Sequence, residues 1–210
     1  MKQLLKELKY SLYLIRHPFN GFWDIKYEKY GSMRTAVVIM ILTIATQILS
    51  KLYTGYLFGG VKTAHYNMFS TVVTFVVIFF AWCISNWCLT CLSDGKGTFK
   101  DICMATAYSL VPYTIIQLIM IVLSNVFVLR EQVFYNMLNG ISLAWTGFLL
   151  LIGMLVTHHY TLKRTLVVIL FTLIGMLMIG VLALLFFNLV QQVLSFVTIL
   201  IEEITLRFTY

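Results

Sequence analysis

The sequence predicts an all-α, polytopic integral membrane protein: five transmembrane helices, an amphipathic helix before them and an interfacial helix after them. Three observations predict it. Of the 210 residues, 60% are hydrophobic and 11% charged, and mean hydropathy is +0.91, whereas about a quarter of a soluble domain is charged. The few charges bracket long uncharged runs, and lysine and arginine are distributed unequally between the connections.

The first sixteen residues set Leu4, Leu5, Leu8, Leu12 and Ile15 at helical spacing against Lys2, Lys6, Glu7 and Lys9, the pattern of an amphipathic helix at a membrane interface. The same charges interrupt any signal-peptide core, so the first span is expected to direct insertion. His17 and Pro18 stop the helix. A second short segment, residues 22–30, mixes aromatic rings with both signs of charge, as headgroup-level anchors do.

Uncharged runs lie between Arg34 and Lys51, Lys62 and Asp94, Asp101 and Arg130, Glu131 and Lys163, and Arg164 and Glu202. Each holds one span of about 20 residues, and the spans are placed at 34–53, 69–92, 102–129, 142–157 and 166–188. The first run is the shortest, so Arg34 and Lys51 must snorkel toward opposite interfaces. Pro112 should bend the third span near Tyr108, with Ser109 or a neighbouring helix satisfying the freed carbonyl. The stretch 98–110 reads as a shallow helix leading into it. Gly147, Gly153, Gly175 and Gly180 would let the fourth and fifth spans approach closely. The last run exceeds one crossing; Gln191 and Gln192 are read as its exit, and the apolar repeat beyond them as a helix on the outer face. The chain divides into an interfacial segment 1–33, a membrane domain 34–190 and a terminal helix 191–210.

With the N-terminus inside, 11 of the 15 lysines and arginines face the cytoplasm and 4 (Lys51, Lys62, Arg130, Arg207) face outward. The net charge of +7 thus reports topology and attraction to anionic inner-leaflet lipid rather than a nucleic-acid groove.

Asp94-Gly95-Lys96-Gly97-Thr98 interrupts the membrane pattern, and Thr98 with Asp101 can cap the following helix. The turn lacks the spacing and the preceding strand of a P-loop. Cys88 and Cys91 form half a metal motif that Cys103, His158 and His159 could complete, but a second Cys-x-x-Cys is missing; no metal or cofactor is assigned, and both histidines are read as interfacial. No hydrolase motif appears, and no catalytic residue is assigned.

His17-Pro18-Phe19 with Gly21-Phe22-Trp23-Asp24, Asn86-Trp87 with residues 94–100, Ala107-Tyr108-Ser109-Leu110-Val111-Pro112, and Trp145-Thr146-Gly147 together resemble the bacterial branch of the Yip1 membrane proteins along nearly the whole chain. The resemblance implies five spans with a cytosolic N-terminus in the bacterial plasma membrane. Eukaryotic relatives engage Rab GTPases, but their long polar N-terminal region and Asp-Leu-Tyr-Gly-Pro motif are not in this sequence, so a trafficking role is not carried over. Some bacterial members occur beside sugar-importer permeases. The expectation is a non-enzymatic scaffold or accessory subunit for membrane partners or a homo-oligomer, with a small transporter or channel at the Pro112 break as the alternative. The candidate interaction residues are Pro18, Trp23, Asn86, Trp87, Asp94, Gly95, Lys96, Gly97, Thr98, Tyr108, Pro112 and Trp145. A lipid-modifying enzyme using Asp94 or His158 is the third possibility weighed.

Overall fold

Helix follows helix through the described residues of the computed structural model, which are 2–55, 67–93 and 95–209. Lys62 and Asp94 lie outside the described residues. In order come α1 (Lys2–Arg16), α2 (Pro18–Trp23), a π-helical turn (Asp24–Glu28), α3 (Met33–Tyr53), α4 (Met68–Leu92), α5 (Phe99–Ser109), α6 (Val111–Ser124), a 3-10 turn (Leu129–Glu131), α7 (Gln132–His158) and α8 (Leu162–Thr209). Among the described residues five helical stretches are long and apolar enough to cross a membrane: α3, α4, α5 with α6, α7 and α8. The protein is therefore a multi-pass, all-α membrane protein.

Local chemistry explains the boundaries. Ser32 caps α3 by accepting from the Thr35 amide, and Asn67 caps α4 by accepting from Phe69 and Ser70; each satisfies donors that lipid could not. Pro18 opens α2, where its missing N–H is not needed. His159 closes α7 in the left-handed region at φ 58°, which histidine enters more readily than most residues.

The third crossing is broken rather than bent at Pro112, with Phe99–Ser109 forming a separate helix as the reading of residues 98–110 expected. α5 ends at Ser109, Leu110 forms a turn, and α6 begins with Pro112 in its first turn. The Ser109 hydroxyl donates to the Ala105 carbonyl at 2.7 Å, so it does not serve the carbonyl that Pro112 frees at Tyr108. One end of α5 lies beside His158, at the close of α7, and the other brings the Tyr108 hydroxyl to Gly31, just before α3. α6 then joins α3 through Thr43 and Thr114, whose hydroxyls are 2.8 Å apart. Thr43 is roughly 15 Å along α3 at 1.5 Å per residue. α5 accordingly runs obliquely along the face that carries the N-terminus, and α6 completes the crossing.

The core lies where α5 is enclosed by the N-terminal segment, α3, α4 and α7: Leu14, Cys83, Ile102, Ala107, Tyr108 and Leu149 are all at 0% exposure. α1 packs on it by the face that carries Leu8 and Ile15 of the apolar repeat, rotated so that Glu7, Ser11 and Leu14 are its most buried residues, while Leu12 is exposed. The carboxylate of Glu7 accepts from Ser32 at 2.5 Å and also from Thr35, so the charge is turned inward to hydroxyl donors instead of outward to water.

Two further expectations are corrected. α8 is one continuous helix of 48 residues with no break at Gln191 and Gln192: both glutamines are good helix formers, and no glycine or proline interrupts the chain there. Glycines do not bring α7 and α8 together. Gly175 faces Ser85 of α4, Gly153 faces Phe22 and Ala105, and Gly147 and Gly180 have nothing within 4 Å of a would-be Cβ.

Candidate functional site

The turn 95–98 and the last residues of α7 meet on the N-terminal face. Thr98 caps α5 as its spacing predicts: its hydroxyl accepts from the Asp101 amide at 3.4 Å, while the Asp101 carboxylate accepts from the Thr98 amide at 3.0 Å. Gly95 and Gly97 precede this cap because a side chain would not fit. A Cβ on Gly97 would lie 2.7 Å from both Cε1 and Nδ1 of His158, and one on Gly95 would lie 2.6 Å from Cγ2 of Thr90.

His158, read from sequence as interfacial, is 1% exposed. Its Nε2 is 3.0 Å from Oδ1 of Asn86; since that oxygen can only accept, Nε2 carries the proton and Nδ1 is left as a buried acceptor without a partner among the described residues. The Asn86 amide nitrogen donates to the Thr172 hydroxyl at 3.2 Å, and the neighbouring Ser85 hydroxyl donates to the Thr172 carbonyl at 2.8 Å. One asparagine thus ties α4 to both α7 and α8, satisfying groups that would otherwise be stranded at membrane depth.

Tyr160 stacks on His158 at 5.2 Å, and its hydroxyl is 2.6 Å from that of Ser93. Arg164 lies 4.8 Å over the Tyr160 ring and donates to the Ser93 carbonyl. The imidazole is stacked on one face by Tyr160 and met along its Cε1–Nδ1 edge by the glycine turn, an arrangement suited to holding that turn in place.

The N-terminal segment adds a layer to this cluster. Lys26 donates to the Thr157 carbonyl at 2.5 Å, the Tyr27 hydroxyl meets Nε2 of His159, and the Trp23 ring stands edge-on to His159 at 5.8 Å. Tyr10 donates to Asp24 at 2.5 Å; desolvation and that carboxylate push the phenol well above its usual range. His159 lies outside the spans and is held below the ordinary imidazole range by desolvation, then by Lys26 and Lys96. Outward from this layer stand Phe19 at 54% exposure, Trp23 at 48% and Tyr27 at 43%, beside exposed Lys29 and Lys96.

Of the predicted site residues, Asn86, Gly95, Lys96, Gly97 and Thr98 converge on the His158 cluster, with Trp23 at its rim. Pro18 is half-buried at the start of α2. Tyr108 and Pro112 are buried at the α5–α6 break. Trp87 packs edge-on to Phe99 at 6.0 Å, while Trp145 is exposed and touches Phe148 along the shaft of α7. Asp94 lies outside the described residues. Sequence reasoning missed Glu7, His158, Tyr160 and Thr172 as organisers, because the partners that engage them lie 25 to 86 residues away.

Cys88 and Cys91 are exposed, Cys83 and Cys103 buried, and no group of three or more metal-ligating side chains forms among the described residues. A family model described as the Yip1 domain matches residues 12–199. No curated protein and no solved structure matches the chain.

Proposed function

The chain belongs to the Yip1 domain family, and from that premise we propose that it is a non-enzymatic scaffold or accessory subunit of the bacterial plasma membrane. Its working surface is the N-terminal face, which the charge asymmetry assigns to the cytoplasm. Among its candidate partners are permease subunits of a carbohydrate ABC importer. One observation carries the reading: the N-terminal segment is fastened to the bundle by Glu7, Tyr10 and Lys26, yet it presents Phe19, Trp23 and Tyr27 outward beside lysines. Fixed aromatic groups with cations at their edge are the composition of a binding surface rather than of a solvated loop.

Photo-crosslinkers at Phe19, Trp23 and Lys96 in native membranes test it. The expected result is a discrete protein adduct from these positions, identified as an importer permease or a second copy, and none from Leu182 on the exposed shaft of α8. Lipid adducts alone from all four positions would overturn the reading.

Transport is the second reading, and the α5–α6 break favours it, because interrupted helices line many transporter sites. Solute flux in proteoliposomes above that of empty vesicles, changed by Pro112→Ala, is its test. Flux equal to that of empty vesicles retires it.

A further inference from the structure

Away from the His158 cluster, a cavity of about 580 Å³ lies between α3, α4, α7 and α8 and reaches the α5–α6 break. Its volume falls in the range of about 300–1,000 Å³ typical of small-molecule sites. Its two ends differ in chemistry. Toward the face opposite the N-terminus it is lined by Gln47, Ser70, Thr71 and Thr74; deeper in, by Phe75, Phe79, Trp82 and Leu110. From Ser70 to Trp82 it follows α4 for about 18 Å at 1.5 Å per residue.

The polar end is unusual in its bonding. Elsewhere in the bundle the helical threonines Thr43, Thr46, Thr90, Thr106 and Thr172 each donate to the carbonyl four residues back, the ordinary solution for a hydroxyl in an apolar setting. The side chains of Gln47, Ser70, Thr71 and Thr74 have no hydrogen-bond partner among the described residues; Ser70 and Thr74 are exposed at the mouth of the cavity, and Gln47 and Thr71 are half-buried, whereas Ser85 and Asn86, on the same helix as the three hydroxyls, bond across to α7 and α8. The indole N–H of Trp82, on the wall of the same cavity, is buried and also without a partner. None of the lining residues is ionisable.

We propose that this cavity binds one uncharged membrane amphiphile of the monoacylglycerol or long-chain alcohol class. Its hydroxyl head takes the hydrogen bonds of Gln47, Ser70, Thr71 and Thr74, and its chain lies along Phe75, Phe79 and the ring of Trp82 toward Leu110, so the indole N–H stays without a partner and only the polar end selects the head. The cavity sits among membrane-crossing helices, so its occupant enters from lipid. No lining residue carries a positive charge to pair with a phosphate, which favours an uncharged head over a phospholipid.

Trp82 supplies the probe. A variant with W23F, W87F and W145F retains it as the sole tryptophan and is placed in phospholipid nanodiscs with either a dibromostearoyl monoglyceride or a phosphatidylcholine bearing the same brominated chain. The expected result is quenching of Trp82 that saturates with the monoglyceride and is weak and linear with the phosphatidylcholine. Adding Gln47→Leu, Thr71→Val and Thr74→Val should raise the half-saturating monoglyceride fraction about tenfold, the loss expected for one or two hydrogen bonds. Should that combination not fold, Thr74→Val alone carries the comparison, with about a threefold rise expected. Equal, linear quenching by both lipids, or an unmoved half-saturation point in the variant that folds, would overturn the proposal.

Discussion

At Gly97 the space for a methyl group is already taken by the imidazole of His158, and that ring cannot retreat without losing Asn86. Gly97→Ala should therefore cost about 1–3 kcal/mol, the usual range for overpacking. Gly180→Ala, with nothing within 4 Å, should be neutral or gain up to about 1 kcal/mol of helix propensity; thermal midpoints of both variants in one detergent make the comparison. Asn86→Leu should likewise cost about 1–3 kcal/mol by leaving His158 and Thr172 without their buried partner. Acid acts on a different residue. Because the folded state holds the His159 imidazole below its ordinary range, the unfolded chain takes up the proton first as pH falls. The contribution is complete above the ordinary histidine range, near 6.5, and declines as pH drops through it toward the lower folded value. The midpoint of the wild type should fall more than that of His159→Asn below about pH 6, and asparagine tolerates the same left-handed backbone. Equal pH profiles for the two proteins would show that His159 is not held down. Residues such as Thr98 and Asp101 were legible in the sequence because a capping box is written in four consecutive letters. Glu7 and His158 were not, because their partners lie 25 and 72 residues away and nothing local distinguishes a buried charge from a solvated one.

The paired helices α5 and α6 show why an element's type is easier to read than its continuity. Lipid demands long runs without charge, so the five crossings follow from composition. Whether a proline bends one helix or begins another depends on what the segment before it packs against. Here the Tyr108 hydroxyl reaches Gly31 just before α3, and Thr114 is fixed to Thr43 further along it, with the helix interrupted at Leu110 between the two. The sign of one substitution separates the two cases. If Pro112 sat inside a strained continuous helix, Pro112→Ala would stabilise by as much as about 3 kcal/mol. Placed in the first turn of α6, proline fits the backbone and restricts the unfolded chain, so the same change should destabilise by about 0.5–1 kcal/mol. Denaturation of the two proteins in matched micelles reads that sign directly, and a more stable alanine variant would restore the continuous helix.

Across the whole molecule, packing is concentrated near the N-terminal face and thins along α8. That helix is about 72 Å long at 1.5 Å per residue, against a hydrocarbon core of about 30 Å. Its buried residues, Thr165, Val168 and Thr172, and its glycine contact at Gly175 all fall in the first third. From Leu182 to Leu189 every residue is exposed, and so are the described side chains from Gln191 to Arg207, whose last ion pair, Glu203 with Arg207, is local to the helix. Stability and length are therefore separable in this protein. Removing residues 192–210 leaves about 30 residues of α8, roughly 45 Å, enough to cross a bilayer with every bundle contact intact. The thermal midpoint of the shortened protein should match that of the full chain in the same detergent. A midpoint lowered by several degrees, equivalent to about 1 kcal/mol or more, would mean that the distal part of α8 folds back onto the bundle, and the separation between anchoring and projecting halves would fail.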